Sequence, residues 1–285
     1  MAFFPFNTPA QRFAKKFNPL RDTVYDAGGM FSGSRMSADL AALQPLAEAV
    51  GADSAELADL LWLQFVVFRK RQQHSEGLPL GLRALAMRAA KGGLTPTERY
   101  EQHYALGESA LEAEEYDTAV EHLQQSAQWA AHEGATLSID QRLGMREEIG
   151  YALHEAGRFT EALAHNQQLL ADAQAAFGSS ADERLSGVVN NLAQNAYELG
   201  EHAEAKSWLQ QRMALGQALQ DTDIVLDTLF QLGVLAHETG QPAEARALFQ
   251  QRVDMARAQD DEDLLEDALA TLAEFEEREQ QGEAH

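Results

Sequence analysis

Two histidine–glutamate pairs, His154-Glu155 and His237-Glu238, are the side chains in this 285-residue chain best suited by type to hold a metal or move a proton. A neutral imidazole is a zinc ligand or general base, and a neighbouring carboxylate can orient it. A catalytic zinc, however, needs three protein ligands converging on one point. The two pairs occupy one position of an internal repeat, two units apart, and helices pack on the order of 10 Å from one another, so the pairs cannot share an ion. Tyr197 stands at the same position of the intervening unit. There is no cysteine, which removes disulfides, thiolate zinc sites, iron–sulfur clusters and thiol nucleophiles. Nor is there a Gly-rich phosphate loop, an HExxH or a GxSxG. The expectation is a protein that is not an enzyme, with no catalytic residue, no metal and no cofactor.

The elements that position these residues come from the repeat. Its core is LGESALEAEEYDTAVEHLQQ from Leu106, IGYALHEAGRFTEALAHNQQ from Ile149, LAQNAYELGEHAEAKSWLQQ from Leu192 and LGVLAHETGQPAEARALFQQ from Leu232. Gly107, Gly150, Ala193 and Gly233 hold a position where a small residue lets two helices approach closely. Gly157, Gly200 and Gly240 fall at a helix end, where a left-handed backbone is cheapest. Ala119, Ala162, Ala205 and Ala245 mark where the second helix of each unit crosses the first. No proline lies between Pro96 and Pro242, and Pro242 sits at a helix start, so a continuous run of helices is predicted. Leu265 to Glu279 matches only a first helix and ends in polar sequence, as a solvating cap would.

Charge divides the chain. Residues 1 to 97 hold 11 Lys/Arg and 8 Asp/Glu, or +3, whereas the rest hold 11 and 37, or −26, so the repeats carry more than the whole formal −23. An acidic surface of that kind repels nucleic acid. Three regions are predicted: a basic, aromatic extended arm over 1–36, a non-repeat helical module over 37–94, and an array of about four repeats with a capping helix over 95–285. In the module, Ser37 is placed to cap a first helix that Gly51 ends, and Asp53 with Glu56 to cap a second that carries Leu57, Leu60, Leu61, Phe65 and Phe68 on one face. Thr95-Pro96-Thr97-Glu98 is a capping box that opens the first repeat. In the arm, Thr8 to Gln11 is another, followed by Phe13 and Phe17 on one face and Arg12, Lys15 and Lys16 opposite, with Asn18-Pro19 ending a nine-residue helix. So short a helix orders only against something. Its own helices, a partner or neighbouring protomer, and an anionic membrane surface all stay open as that something.

The repeat resembles the tetratricopeptide-repeat (TPR) family. Its period above 34, NNLAQNAYELG from Asn190, ALFQQRVDMARAQDD from Ala247 and the recurring Gln210-Gln211-Arg212 and Gln250-Gln251-Arg252 make it similar to the longer-repeat subtypes of kinesin light chains and Pins/LGN-type adaptors. The likeness implies an all-α fold, a right-handed α-solenoid of helical hairpins. Arg212 and Arg252 stand where the common pattern has a small residue, and are expected on a solvated helix surface. In this family the first helices line a concave groove. Projection puts Glu101, Tyr104, Glu108, Glu147, Glu148, Tyr151, His154, Asn190, Asn191, Gln194, Tyr197, Phe230, Gln231, His237 and Glu238 on that face. Carboxamides donate and accept at once and so suit the backbone of an extended peptide. Asn191 matches the asparagine that the resembling subtypes use for this, with Gln231 one repeat later and Glu148 one earlier. A groove that clamps a C-terminal carboxylate needs cations, yet the array has one lysine, Lys206.

The function that follows is a scaffold or adaptor whose acidic groove binds a basic or amphipathic peptide, with no nucleic-acid partner. Two alternatives are a self-assembling protein whose arm docks into its own or a neighbouring protomer's groove, as a homo-oligomer, and a bacterial peptide-sensing regulator. Met1 to Asn7 lacks the basic lead-in and apolar run of a signal peptide, and Leu60 to Phe68 is shorter than the roughly 18 residues of a spanning helix. A cytoplasmic protein is expected.

Overall fold

The computed structural model describes residues 8–26, 33–132, 137–177, 182–259 and 261–281, and all regular structure among them is helical. The chain divides into two compact units, Met1–Met145 and Arg146–His285. The first holds α1 (Pro9–Asp26), α2 (Gly33–Ala41), α3 (Gln44–Glu48), α4 (Ala55–Lys70), α5 (His74–Lys91), α6 (Pro96–Glu112), α7 (Tyr116–Ala130) and the start of α8 (Ile139–Glu155). The second holds the rest of α8, then α9 (Phe159–Phe177), α10 (Leu185–Glu198), α11 (His202–Leu219), α12 (Thr222–Glu238), α13 (Pro242–Ala258) and α14 (Glu262–Gln281).

In the first unit α4 is the central helix, because apolar residues occupy most of its circumference: Leu57, Leu60, Leu61, Leu63, Phe65 and Val67 are all buried. Its N-cap is Ser54, whose hydroxyl accepts from the Leu57 N–H, and not Asp53. A hydroxyl at the last non-helical residue reaches the N3 amide directly, which a side chain one residue earlier cannot. Ser37 likewise lies inside α2, where its hydroxyl accepts from Arg71 at 2.9 Å. The capping boxes at Thr8–Gln11 and Thr95–Glu98 both form.

The expected nine-residue helix in the arm is an eighteen-residue one that passes through Pro19. A proline inside a helix costs about 3 kcal/mol. The stripe Phe13, Phe17, Leu20 and Val24 continues beyond it, however, and packs into the core around α4, with Phe13, Phe17 and Val24 at most 4% exposed. Burying large apolar side chains contributes about 1.5–3 kcal/mol each, enough to outweigh the proline. Phe13 and Phe17 therefore dock on the chain's own N-terminal helices, and not in a repeat groove, while Arg12, Lys15 and Lys16 face solvent. The extended character expected of residues 1–36 fails for 9–26 and 33–36; residues 1–7 and 27–32 lie outside the described residues.

The repeats fold as hairpins α6–α7, α10–α11 and α12–α13, with α14 packed on α13, and α8 meets α9 at Gly150 against Asn166 and at the Arg146 carbonyl against His165. A Cβ added at Gly107 would lie 2.6 Å from Leu123, and one at Gly233 would lie 2.5 Å from Phe249, so these positions need glycine for close helix approach. Ala119, Ala162, Ala205 and Ala245 are buried at the crossings. Gly157, Gly200 and Gly240 adopt φ of 70°, 73° and 72°, and in the first repeat Glu114 takes the same left-handed turn at φ 59°. Between α11 and α12 the connection shrinks to Gln220, left-handed at φ 56°, and Asp221, which caps α12 by accepting from Ile224. Gly216 lets α11 pass against Ile224 and Val225 there. Arg212 and Arg252 are not on a solvated surface: their side chains are 11% and 12% exposed and ion-paired to Asp227 and Asp267 on the next first helices. No helix among the described residues is long and apolar enough to cross a membrane.

Candidate functional site

The second unit contains a cleft of about 530 Å³ walled by first helices. From α8 come Tyr151, His154 and Glu155; from α10, Ala193, Gln194, Tyr197 and Glu198; from α12, Asp227, Phe230, Gln231, Val234 and Leu235. Ala205 and Leu209 of α11 complete the lining. First helices present a polar stripe here because their apolar stripe is used up in the hairpin: Leu192 and Ala196 of α10, for example, are fully buried. Tyr151 and Phe230 remain 47% and 37% exposed, so large aromatic surface is left open to the cleft. The charged lining residues other than histidine are all carboxylates.

Hydrogen bonds between successive first helices hold the walls. His154 Nδ1 donates to Asn195 Oδ1 at 2.9 Å, and the buried Asn195 passes its own Nδ2–H to the Asn191 carbonyl at 2.7 Å. Gln231 Nε2 donates to Asn190 Oδ1 at 2.9 Å and to Asp227 at 3.2 Å. The Tyr197 hydroxyl donates to Glu238, and that bond, with burial, pushes its pKa up to about 12. The guanidinium of Arg252 lies 5.3 Å from the Phe230 ring, supporting it from the side of α13. Asp227 receives Arg212 from beneath, so its charge is partly neutralised, whereas among the described residues no ion pair forms at Glu155 or Glu198.

Of the residues expected in the groove, the cleft gathers Tyr151, His154, Gln194, Tyr197, Phe230 and Gln231. Asn190 and Asn191 are half-buried outside this lining, and Glu238 serves as Tyr197's acceptor. His237 turns toward α14, with its ring against Phe275 at 5.2 Å and Nδ1 3.5 Å from Glu279. Glu147 sits close to Gly187 of α10, and burial raises its carboxyl pKa. Tyr104 and Glu108 belong to the first unit, where Tyr104 stacks on Tyr100 and Glu108 pairs with Arg69. Asn195 was not among the expected residues, although its place one helical turn after Asn191 was a usable signal. No group of three or more His, Asp or Glu among the described residues is arranged to hold a metal.

Comparison with known proteins bears on the same segments. Tetratricopeptide-repeat sequence patterns match residues 142–182 and 184–258. No curated protein matches the sequence. Among solved structures, nearly identical TPR-like repeats of a Podosopora anserina kinesin light chain share 18% identity, cover 76% of this chain and 100% of theirs, and superpose with a TM-score of 0.51. The apo form of RapI shares 11% identity over 95% of this chain and 72% of its own, with a TM-score of 0.62. A Rap protein complexed with competence and sporulation factor shares 14% over 96% and 73%, with a TM-score of 0.50. Residues 142–182 and 184–258 are thus tetratricopeptide repeats, similar to those of kinesin light chain, in a chain whose described regular structure is all helical.

Proposed function

We propose that this protein is a non-catalytic scaffold that binds a basic or amphipathic peptide segment in the cleft between α8, α10 and α12. The observation that carries the reading is the lining itself: exposed Tyr151 and Phe230, the carboxamides Gln194 and Gln231, and Glu155 and Glu198 without a cation. Aromatic faces and carboxylates together suit Lys or Arg side chains, by ion pairing and by cation–π contact. Gln194, free on the surface, can pair with the backbone of an extended ligand, as Asn191 would where the segment runs past the cleft. Glu147 and Glu148 extend the acidic character toward the start of the second unit. Selection from a random peptide library on the full chain should enrich sequences that combine Lys or Arg with large apolar residues. Affinity measured by calorimetry should fall at least tenfold in Phe230→Ala and Gln194→Ala with the melting temperature kept. Failure to enrich, or equal binding by both variants, would sink this reading.

A second reading, a peptide-sensing regulator, is favoured by one observation: the likeness to the Rap structures runs across the N-terminal helices as well as the repeats. It requires that a cleft-binding peptide alter what the first unit does. Hydrogen exchange in α1–α5 that is unchanged by a saturating selected peptide would leave only the scaffold.

A further inference from the structure

A second concavity lies wholly in the first unit and has no part in the peptide cleft. α2 and α5 both pack on α4 and leave a groove of about 410 Å³ between them. Its floor is Leu61, Gln64 and Phe68, one stripe of α4 at spacings of three and four residues, about two turns or 10 Å long. Ser37, Ala41 and Gln44 form one wall, and Leu80 and Arg83 the other. The floor and walls are mainly apolar, and a strip of helix flanked by two others is the surface a further helix packs on.

Charge decides the occupant. Arg71, which reaches the groove wall, is engaged by donating to the Ser37 hydroxyl at 2.9 Å. Arg83, the one cation in the groove lining, is exposed and has no such partner among the described residues. We infer that the groove is a docking site for an acidic amphipathic helix of a partner protein, one that seats apolar side chains over Leu61 and Phe68 and offers a carboxylate to Arg83. The two sites would then take ligands of opposite charge: a basic segment in the second unit and an acidic helix in the first.

Fluorescence anisotropy with two labelled helical peptides tests this on the full chain. Both carry leucines at helical spacing, one with glutamates and the other with lysines at the remaining positions. The glutamate peptide should bind saturably to the wild type and equally to Phe230→Ala, which alters only the other cleft. Arg83→Gln should weaken it about tenfold, and Arg83→Glu should reverse the preference toward the lysine peptide, with melting temperatures unchanged. No saturable binding, binding indifferent to Arg83, or loss in Phe230→Ala would each overturn the proposal. Saturation by octanoate without any peptide binding would assign the groove to a small amphiphilic acid, and would equally overturn it.

Discussion

Replacing Asn166 with leucine should stabilise the protein, although the residue is a fully buried polar side chain of the kind usually kept for a reason. Asn166 lies on α9 over Gly150, where the other hairpins place Leu123, Leu209 and Phe249, and neither its amide nitrogen nor its amide oxygen has a hydrogen-bond partner. A buried polar group without a partner costs about 1–3 kcal/mol. Leucine is broader, and the contact is tight, since a Cβ at Gly150 would lie 2.2 Å from Asn166 Oδ1. The first repeat nevertheless shows that leucine fits over glycine at this register, with Leu123 above Gly107. Allowing about 1 kcal/mol for repacking, the net gain is about 0–2 kcal/mol, centred near 1 kcal/mol. For a chain of this size that central value raises the melting temperature by roughly 2–4 °C. Repeat arrays do not always unfold in one step, so the thermal melt should be paired with hydrogen exchange in α8 and α9, where protection should rise. Leu123→Asn, the mirror change, should cost about 3 kcal/mol or more through lost burial and a new orphan amide. An unchanged or lower melting temperature for Asn166→Leu, without gained protection, would refute the reasoning and mean that bound water satisfies the amide.

Two further outcomes follow from the charges. His103 and His122 face each other with Nδ1 atoms 3.0 Å apart, and burial lowers both pKa values, His103 to about 4. A folded-state pKa depressed below the unfolded value near 6.5 means that the unfolded chain takes up protons first. The pair's contribution is therefore whole above about pH 6.5 and is lost as pH falls toward 4. The difference in melting temperature between wild type and a His103→Gln/His122→Gln double variant should shift in that window and be flat above pH 7. Arg212→Met should be close to neutral, because a buried guanidinium is costly to desolvate, whereas Asp227→Asn should destabilise by about 2 kcal/mol by leaving that cation buried without its partner; urea titration of both variants decides the order.

The repeat was legible because a hairpin crossing tolerates few side chains: Gly107, Gly233 and the four buried alanines could be read directly from the sequence. Local capping chemistry was nearly as readable, as at Thr95–Glu98. What escaped were outcomes that depend on distant packing. Proline at 19 argues locally for a helix end, and only the core around α4 shows why α1 continues. Arg212 and Arg252 look like ordinary helix surface until the next first helix supplies Asp227 and Asp267, fifteen residues on. In the cleft, residue type revealed the exposed aromatics and amides, but not which groups would be consumed by the wall: Asn190, Glu238 and His237 have the right chemistry for a ligand and spend it on neighbouring helices.

The two-residue link between α11 and α12 makes the cleft adjustable by length alone. Gln220 and Asp221 fix where α12 starts against α10, and hence the gap across which Gln194 and Tyr197 face Phe230 and Gln231. Because α-helices advance by about 1.5 Å and 100° per residue, one residue inserted there would rotate Phe230 out of register without changing any lining side chain. Relatives that differ only in this link would thus differ in cleft shape while keeping identical cleft residues, and a designer could reshape the cleft by editing a position outside its lining.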